Sequence, residues 1–424
     1  MQGEGLSLTV DEKLRVAHKL DELGVDLIEA GFPAANPKEA ELYTQLGREH
    51  FVHAEIVAFG MTRRRDLAAD RDPALRALAD AGAGVCTIVG KTWGLHLEKV
   101  VRVGREENLA MIAESVAFLR GEGKRVIYDA EHFFDAFRDH PESALACLRA
   151  ADGAGAERLV LCDTNGPSLP SQIAAAVSDV SSALPGVAIG IHCHNDGGCA
   201  VANSLIAVEA GATQVQGTVN GIGERTGNAN LITIIANLQL KMGRRVVSDE
   251  QLRRLTETAH FADELLNRTT NAGQPYVGKH AFAHKAGLHV AGIRADAATF
   301  EHVDPELVGN RRDLLVSELS GKGAVADKAE RANLDVDDVV ISRVLERVKK
   351  LEHDGYQFEA ADGSFELLLR KEAGEYEPLF RLESWRVIVE QRADGKVETE
   401  ATIKIWVDGE RYVRTAEGNG PVHA

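Results

Sequence analysis

Two histidines separated by one residue, His192 and His194, are the first candidates for chemistry in this sequence. Alternate residues of a β-strand point to the same face, so both imidazoles could bind one divalent cation. With 15 histidines in 424 residues, chance alone would give about 0.5 such pairs, and a hydrogen-bonded core pair is an equal alternative. Asn195 and Asp196 follow at the predicted end of a strand, and this location favours the metal site.

A glycine-rich segment, residues 221–228, carries Glu224, Arg225 and Asn228. Glycine lets the backbone bend tightly around a ligand, although a purely structural turn has the same composition. Asn228 could supply a neutral oxygen ligand to a metal. Arg225 could bind a substrate carboxylate or hold Glu224 in place.

A third segment, residues 281–289, places His284, Lys285 and His289 close together. Imidazoles titrate near neutral pH, so a lobe for proton transfer or CoA binding is one interpretation. A solvated helix end is the alternative.

The elements that must position these residues follow a repeated order: a helix, a small-Gly-small stop, then a short apolar strand. Seven strands are predicted, at residues 25–29, 53–58, 85–89, 125–130, 158–162, 188–192 and 214–219. Their spacing of roughly 25 to 40 residues favours an α/β fold of the (β/α)8 TIM-barrel type that lacks its first strand. An open, doubly wound sheet is the alternative.

In such a barrel the active site lies at the carboxyl ends of the strands. Polar residues end several of the predicted strands, namely Glu29, Glu131 with His132, and residues 163–165 and 192–196. We therefore expect these side chains to share one rim.

The repeat stops near residue 245. Ser248 opens a predicted long amphipathic helix, and hairpin turns are predicted at Asp394-Gly395 and Asp408-Gly409. We predict three domains: a barrel over residues 1–245, helical linker subdomains over 246–380, and a truncated β-rich domain over 381–424.

Composition narrows the class of protein. Acidic residues outnumber basic ones, 65 against 48, and the net charge of −17 argues against nucleic-acid and anionic-membrane partners. The five cysteines form no C-x-x-C pair, which fits a reducing, cytoplasmic setting. If the substrates are anions, the positive groups that bind them must be few and local.

Five ordered motifs resemble the 2-isopropylmalate, homocitrate and citramalate synthase family, relatives of the hydroxymethylglutaryl-CoA lyase barrels. They are GVDLIEAG (24–31), DTNG (163–166), HCHND (192–196), GERTGN (223–228) and AHKAGLH (283–289). The segments QGEG (2–5) and IYDAEHFF (127–134) are most similar to the citramalate synthase branch. The similarity covers essentially the whole chain.

The resemblance implies a divalent cation, Mn, Mg or Zn, held by His192, His194 and Asn228. It makes Glu29 the acidic member of the family's Asp-Arg-Glu catalytic signature.

The resemblance also places Glu131 and Thr164 against a 2-oxo acid. It makes Glu224 and His289 the proton-transfer pair, with His289 often contributed by a partner subunit, which implies a homodimer. The domain at the C-terminus resembles a regulatory domain that binds an end-product amino acid.

The reaction implied is the condensation of acetyl-CoA with pyruvate to (R)-citramalate and CoA, in isoleucine and branched-chain amino-acid biosynthesis. The 2-isopropylmalate and homocitrate reactions are alternatives, because one or two methylenes in a pocket are worth only about 1 to 3 kcal/mol. Asp129, beside Glu131, leaves little apolar wall and favours pyruvate.

A second alternative is an inactive fragment of such an enzyme. In the family, QGEG follows a strand ending Asp-Thr-Thr-Leu-Arg-Asp-Gly, which supplies a fourth metal ligand and an arginine. Neither residue precedes Gln2 in this sequence. We therefore expect that the chain starts at an internal methionine and ends early, and that it is insoluble or inactive because unpaired strand edges are exposed.

Overall fold

The computed structural model describes residues 3–314, 321–358 and 361–424, so Gln2 lies outside the described residues. The chain divides into two compact units. The first comprises Met1–Ala283 and Glu301–Asp313, and the second comprises His284–Phe300 and Leu314–Ala424. Within the described ranges, no helix is long and apolar enough to cross a membrane.

A parallel sheet of seven strands forms the centre of the first unit, with the strands side by side in chain order. The strands are β1 (Leu27–Gly31), β2 (Glu55–Met61), β3 (Val85–Lys91), β4 (Arg125–Glu131), β5 (Arg158–Asp163), β6 (Ile189–Cys193) and β7 (Gln214–Gln216). The predicted seven-stranded parallel α/β architecture is confirmed.

Helices connect these strands and continue beyond β7. They are α1 (Val10–Leu23), α2 (Pro37–Leu46), α3 (Pro73–Asp80), α4 (Gly94–His96), α5 (Arg105–Gly121), α6 (Phe133–Asp139), α7 (Pro141–Gly153), α8 (Pro170–Ala183), α9 (Ala200–Glu209), α10 (Leu231–Leu240), α11 (Asp249–Leu252) and α12 (Leu255–Leu265). Each βαβ connection crosses one face of the sheet, as parallel pairing requires.

Two separate apolar cores lie on the two faces of the sheet. The larger core packs one face of the sheet against the helices. On the other face, side chains from five different strands form one cluster: Leu27, Val57, Val85, Ile127, Val160 and Cys162. On the same face, Gln216 Nε2 of β7 donates to Asp129 Oδ1 of β4 at 3.1 Å, and strands this far apart in the order can meet only if the face is concave, as it is inside a barrel.

The helix predicted to begin at Ser248 is divided into α11 and α12. Ser248 forms the predicted capping box, but the helix is interrupted at Arg253 and Arg254. The backbone of Gly309 approaches this point so closely that a Cβ there would lie 1.9 Å from the Arg253 carbonyl oxygen. Contact with a distant segment thus accounts for a break that the local pattern does not contain.

The second unit contains four helices and a three-stranded antiparallel sheet within the described residues. The helices are α13 (Gly287–Ala295), α14 (Lys322–Arg331), α15 (Asp338–His353) and α16 (Asp362–Ala373). Two-residue strands, β8 (Ala283–His284) and β9 (Asp313–Leu314), pair where the chain passes between the units, and β10 (Arg381–Gln391), β11 (Val397–Val407) and β12 (Glu410–Gly418) form the sheet. Both predicted hairpin turns, at Asp394-Gly395 and Asp408-Gly409, are confirmed.

A buried carboxylate fixes α1 to the sheet. Asp21, on α1, is 6% exposed, and its oxygens accept hydrogen bonds from the backbone N–H groups of Val52, His53 and Ala54 at 2.8 to 2.9 Å. Burial alone would raise the pKa of Asp21, but the three donors outweigh it, and the pKa is lowered. The ionised carboxylate therefore stabilises the approach to β2.

We expect Asp21→Asn to lower the free energy of unfolding by about 1 to 3 kcal/mol at pH 7, because a buried donor loses a charged acceptor. A carboxyl with a lowered pKa in the folded state contributes stability above its unfolded pKa and loses it as the pH falls. The difference from the wild type should therefore shrink below about pH 4. Urea titrations at several pH values measure it, with exposed Asp26→Asn as control, and a pH-independent difference would contradict the assignment.

Candidate active site

A polar layer lies on the concave face of the sheet, next to the apolar cluster. Side chains alternate along a strand, so Glu29 follows Leu27 and Asp129 follows Ile127 on the same face. His192 and Gln216 occupy the equivalent level of β6 and β7, where they are register partners. The carboxyl half of the concave face is therefore polar, as the rule for strand ends predicts.

His192 is held by a chain of hydrogen bonds from neighbouring and more distant strands. Its Nδ1 lies 2.7 Å from Gln216 Oε1, and Gln216 Nε2 donates to Asp129 Oδ1 at 3.1 Å. Because an amide oxygen only accepts, Nδ1 of His192 carries the proton. The lone pair of His192 is then on Nε2, which points away from Gln216.

The structure brings His192, His194 and Asn228 together. The two imidazole centroids are 5.3 Å apart, and Asn228 Nδ2 lies 3.0 Å from His192 Nε2 and 3.5 Å from His194 Nε2. Backbone pairing between His194 and Asn228 fixes this approach. Cys193, between the histidines, is buried in the other core, among the helices.

Both imidazoles favour the neutral state. Burial lowers the pKa of His192. Burial, followed by electrostatic repulsion from His192 and Arg225, lowers the pKa of His194 to about 4. Neutral imidazole is the form that binds metals.

Arg225 fastens the glycine-rich loop to two strand ends. Its Nε and Nη2 donate to the two oxygens of Asp196 at 2.8 and 2.9 Å, and Nη2 also donates to the Thr164 carbonyl oxygen at 2.8 Å. The closest approach of Arg225 to Glu224 is 3.8 Å, so the carboxylate that it holds is Asp196. Hydrogen bonding to Arg225 lowers the pKa of Asp196.

Arg225 also approaches the other side of the His194 ring, with Nη2 3.1 Å from Nδ1. A neutral imidazole has one lone pair, so Nδ1 and Nε2 cannot both accept a hydrogen bond. The shorter contact, with Arg225, places the lone pair on Nδ1. Asn228 Nδ2 donates to His192 Nε2 at 3.0 Å, which fixes the amide, and its 3.5 Å contact with His194 Nε2 is the longer one.

Glu131 and Thr164 lie on this same rim, with a cation beside them. Glu131 forms an ion pair with Lys91, its register partner on β3, and both side chains are at most one-fifth exposed. Thr164 Oγ1 accepts a hydrogen bond from the His132 backbone N–H at 2.9 Å. The Thr164 hydroxyl hydrogen is directed elsewhere and can donate to a ligand.

Two further histidines form an aromatic cluster beside Glu131. His132 directly follows it, and the centroids of the His132 and His96 rings are 4.1 Å apart. Trp93 lies against both, at 5.6 and 5.7 Å. Burial lowers the pKa of His96, and the neighbouring His132 adds to this effect.

Two carboxyl groups on the concave face influence each other. Burial, together with the charge of Glu29, raises the pKa of Asp129 well above its usual range. The Glu29 side chain reaches solvent on one side, yet its carboxylate lies deep enough on the concave face that desolvation raises its pKa. The protonated form of Asp129 is therefore favoured.

The predicted proton-transfer pair is divided between the two units. Glu224 is in the glycine-rich loop of the first unit, with its side chain 49% exposed. His289 is on α13 of the second unit, where its ring stacks on Phe300 at 4.3 Å between centroids.

Within the first unit, the structure thus places most of the predicted site residues on one rim, but their roles remain predictions. Sequence reasoning missed Lys91, Gln216 and His96. Lys91 ends β3 as Glu131 ends β4, so the rule for strand ends could have found it. The position of Gln216 depends on the register between β6 and β7, and that of His96 depends on how the short helix α4 packs. Neither residue has a local signal in the sequence.

Comparison with protein families gives three consecutive matches. Residues 1–261 match the HMGL-like family, 276–355 match the homocitrate synthase post-HMGL domain-like family, and 359–424 match the LeuA allosteric (dimerisation) domain. The domain boundaries predicted after residues 245 and 380 remain predictions.

Curated relatives align along the whole chain. An (R)-citramalate synthase from Streptomyces coelicolor is 50% identical over 100% of this chain and 80% of its own length. One from Geobacter sulfurreducens is 46% identical with the same coverage. A 2-isopropylmalate synthase from Sulfolobus acidocaldarius is 36% identical over 85% of this chain and 90% of its own length.

Solved structures with the same fold include HMG-CoA lyases. The enzyme from Pseudomonas aeruginosa has a TM-score of 0.54 at 18% identity and covers 63% of this chain and 90% of its own. A Bacillus subtilis HMG-CoA lyase has a TM-score of 0.53 at 18% identity, over 63% of this chain and 91% of its own. At this identity the likeness shows the barrel fold alone.

We expect Arg225→Met to loosen the loop that carries Asn228, because two charge-assisted hydrogen bonds to Asp196 are lost. Amide hydrogen exchange at Asn195, whose N–H donates to the Gly227 carbonyl oxygen, should become at least about 10-fold faster. Arg225→Lys keeps the positive charge but cannot form the paired hydrogen bonds, so its exchange rate at Asn195 should lie between those of the wild type and Arg225→Met. Exposed Arg245→Met is the control, and unchanged exchange in Arg225→Met would show that Arg225 does not fasten the loop.

Proposed function

The chain belongs to the HMGL-like family and, within it, to the (R)-citramalate synthases, and from this premise we propose that the rim described above is its active site. The chain condenses acetyl-CoA with pyruvate to give (R)-citramalate and CoA, a step that fits branched-chain amino-acid biosynthesis. The observation that carries the placement of the site is the convergence of His192, His194 and Asn228.

These three side chains fit a divalent cation. His192 is a neutral imidazole with its lone pair on Nε2, directed at the Asn228 amide. His194 can present Nε2 to the same point once Arg225 releases its Nδ1, and Arg225 keeps its contacts with Asp196 and Thr164. A Mn, Mg or Zn ion bound here would polarise the ketone of pyruvate as a Lewis acid.

The 2-oxo acid is positioned by Glu131 and Thr164. Lys91 provides a positive charge at this point in a strongly acidic chain, and it pairs with Glu131. Thr164 keeps its hydroxyl hydrogen for a substrate oxygen, because its Oγ1 already accepts from His132. Arg225 binds the substrate carboxylate only by sharing its donors with Asp196, so we infer that its larger contribution is to hold the loop.

Proton transfer is assigned to Glu224 and His289, with Glu29 as the acidic group on the concave face. The base removes a proton from the methyl group of acetyl-CoA, and the resulting enolate carbon bonds to the ketone carbon of pyruvate. Water then cleaves the thioester, giving the carboxylate of citramalate and free CoA thiol. Burial raises the pKa of Glu29, which favours the protonated form of this carboxyl group.

We further propose a cytoplasmic homodimer regulated by an amino acid. The match of residues 359–424 to an allosteric dimerisation domain supports both parts of this proposal. Large apolar side chains remain exposed on the sheet of β10 to β12, among them Trp385, Ile388 and Val389. The five cysteines are free thiols, which fits a reducing compartment.

We expect pyruvate to be preferred over 2-oxoisovalerate and 2-oxoglutarate by at least about 10-fold in kcat/KM, since bulk near the polar Asp129 is unfavourable. CoA thiol release with acetyl-CoA and each 2-oxo acid measures this. A preference for 2-oxoisovalerate would move the chain to the 2-isopropylmalate reaction and leave the family unchanged.

We expect His192→Ala and His194→Ala each to reduce turnover more than about 100-fold and to lower the bound divalent metal, because each removes a ligand. Cys193→Ser is the matched control, since Cys193 lies between them but faces the helices, and it should retain metal and turnover. Metal content and thiol release are measured together. If both histidine variants keep the wild-type metal content and activity, the two histidines have only a structural role.

A further inference from the structure

A second group of metal-ligating side chains lies where β3 and β4 end, apart from His192, His194 and Asn228. One ligand atom each from His96, Glu131 and His132 lies within 4.8 Å of the other two. Two imidazoles and a carboxylate are a donor set used for zinc. Lys91 pairs with one carboxylate oxygen of Glu131, Oε2, so Oε1 remains for a ligand.

The His132 ring is oriented by the surrounding protein. Its backbone has φ of 55°, a left-handed conformation that is uncommon for a residue other than glycine, and its N–H donates to Thr164 Oγ1. The ring Nδ1 lies 3.3 Å from Asp135 Oδ2. A carboxylate on Nδ1 leaves the lone pair on Nε2, as in the carboxylate–histidine pairs around metal ions.

Asp135 is itself held in place. Arg138 Nη2 donates to its Oδ1 at 3.0 Å, and Asn165 Nδ2 donates to its Oδ2 at 3.3 Å. The side-chain carboxyl of Asp135 is buried. The group that orients His132 is thus fixed by contacts from two directions, as a preorganised site requires.

The His96 ring carries a buried nitrogen without a partner. Among the residues that the structure describes, none forms a hydrogen bond with His96 Nδ1, which is closed to solvent. Buried polar atoms are nearly always satisfied, so an orphan such as this calls for a ligand or ion. A cation ligated by His96 Nδ1 would satisfy it.

We propose that His96, His132 and Glu131 form a second metal site, which binds a transition-metal cation of the Zn2+ or Co2+ class. The two imidazole donors select this class over Mg2+ and Ca2+, which prefer oxygen ligands. The site shares no ligand with His192, His194 and Asn228, but it includes Glu131, which is proposed above to position the 2-oxo acid. Its occupancy would take the free oxygen of Glu131 at the edge of the substrate pocket.

The test is metal stoichiometry on the full chain. Metal-free protein is titrated with Co2+, bound metal is counted by elemental analysis, and visible absorption reports nitrogen ligation. The wild type should bind two equivalents, and His96→Ala and His132→Asn should each bind one. Asparagine tolerates the left-handed backbone at position 132, which protects the fold. Exposed His50→Ala is the matched control and should bind two.

The two sites are told apart by His192→Ala. In this variant the second site should still bind Co2+, and His192→Ala with His96→Ala should bind none. If the wild type binds one equivalent that His96→Ala and His132→Asn each remove but His192→Ala does not, the second site stands and the metal role of His192 is wrong. If His96→Ala and His132→Asn retain the wild-type stoichiometry and absorption, while circular dichroism shows native folding, the proposal is wrong.

Discussion

Closure of the parallel sheet toward a concave inner face is the constraint on which the site depends. The apolar cluster of Leu27, Val57, Val85, Ile127, Val160 and Cys162 lines this face from β1 to β5, and the hydrogen bond from Gln216 on β7 to Asp129 on β4 joins strands that are not neighbours. Because side chains alternate, one step of two residues beyond this apolar layer places Glu29 and Asp129 on the same inner face. Packing of the apolar cluster thus positions Glu29 and Asp129. The stabilisation comes from burial of the apolar side chains and not from these two carboxyl groups.

A chain with a net charge of −17 would repel anionic substrates, so the positive groups on the rim must be held at the site. Two cations, Lys91 and Arg225, lie at the strand ends, and each is held by a carboxylate, Glu131 or Asp196. Paired in this way, each keeps a fixed position at small cost in side-chain entropy. The imidazoles of His192 and His194 remain neutral because burial disfavours their charged forms, so they are available as ligands.

Sequence reasoning succeeded where the signal is local and failed where it depends on register or on distant contacts. The positions of the strands, the capping box at Ser248 and the turn at Asp394-Gly395 follow from patterns of a few residues, and the structure contains them. The interruption of the helix at Arg253 arises from contact with Gly309, and the link from His192 to Gln216 arises from strand register. Neither has a local signature. The motif resemblance chose the candidate ligands, and their convergence could be seen only once β6 and the loop carrying Asn228 were folded together.

The order in which the chain enters the two units has a consequence for synthesis and evolution. Residues 301–313 return to the first unit after residues 284–300 have entered the second, so the chain crosses between the units three times. On the ribosome the first unit cannot be completed when residue 283 emerges, because Gly309 and its neighbours are still to come. Genetic exchange of the second unit by a single crossover would separate α13 from the helices with which it packs. An exchange that keeps α13 with the helices it packs against must begin before residue 284, so it also carries residues 301–313, which must then fit the first unit.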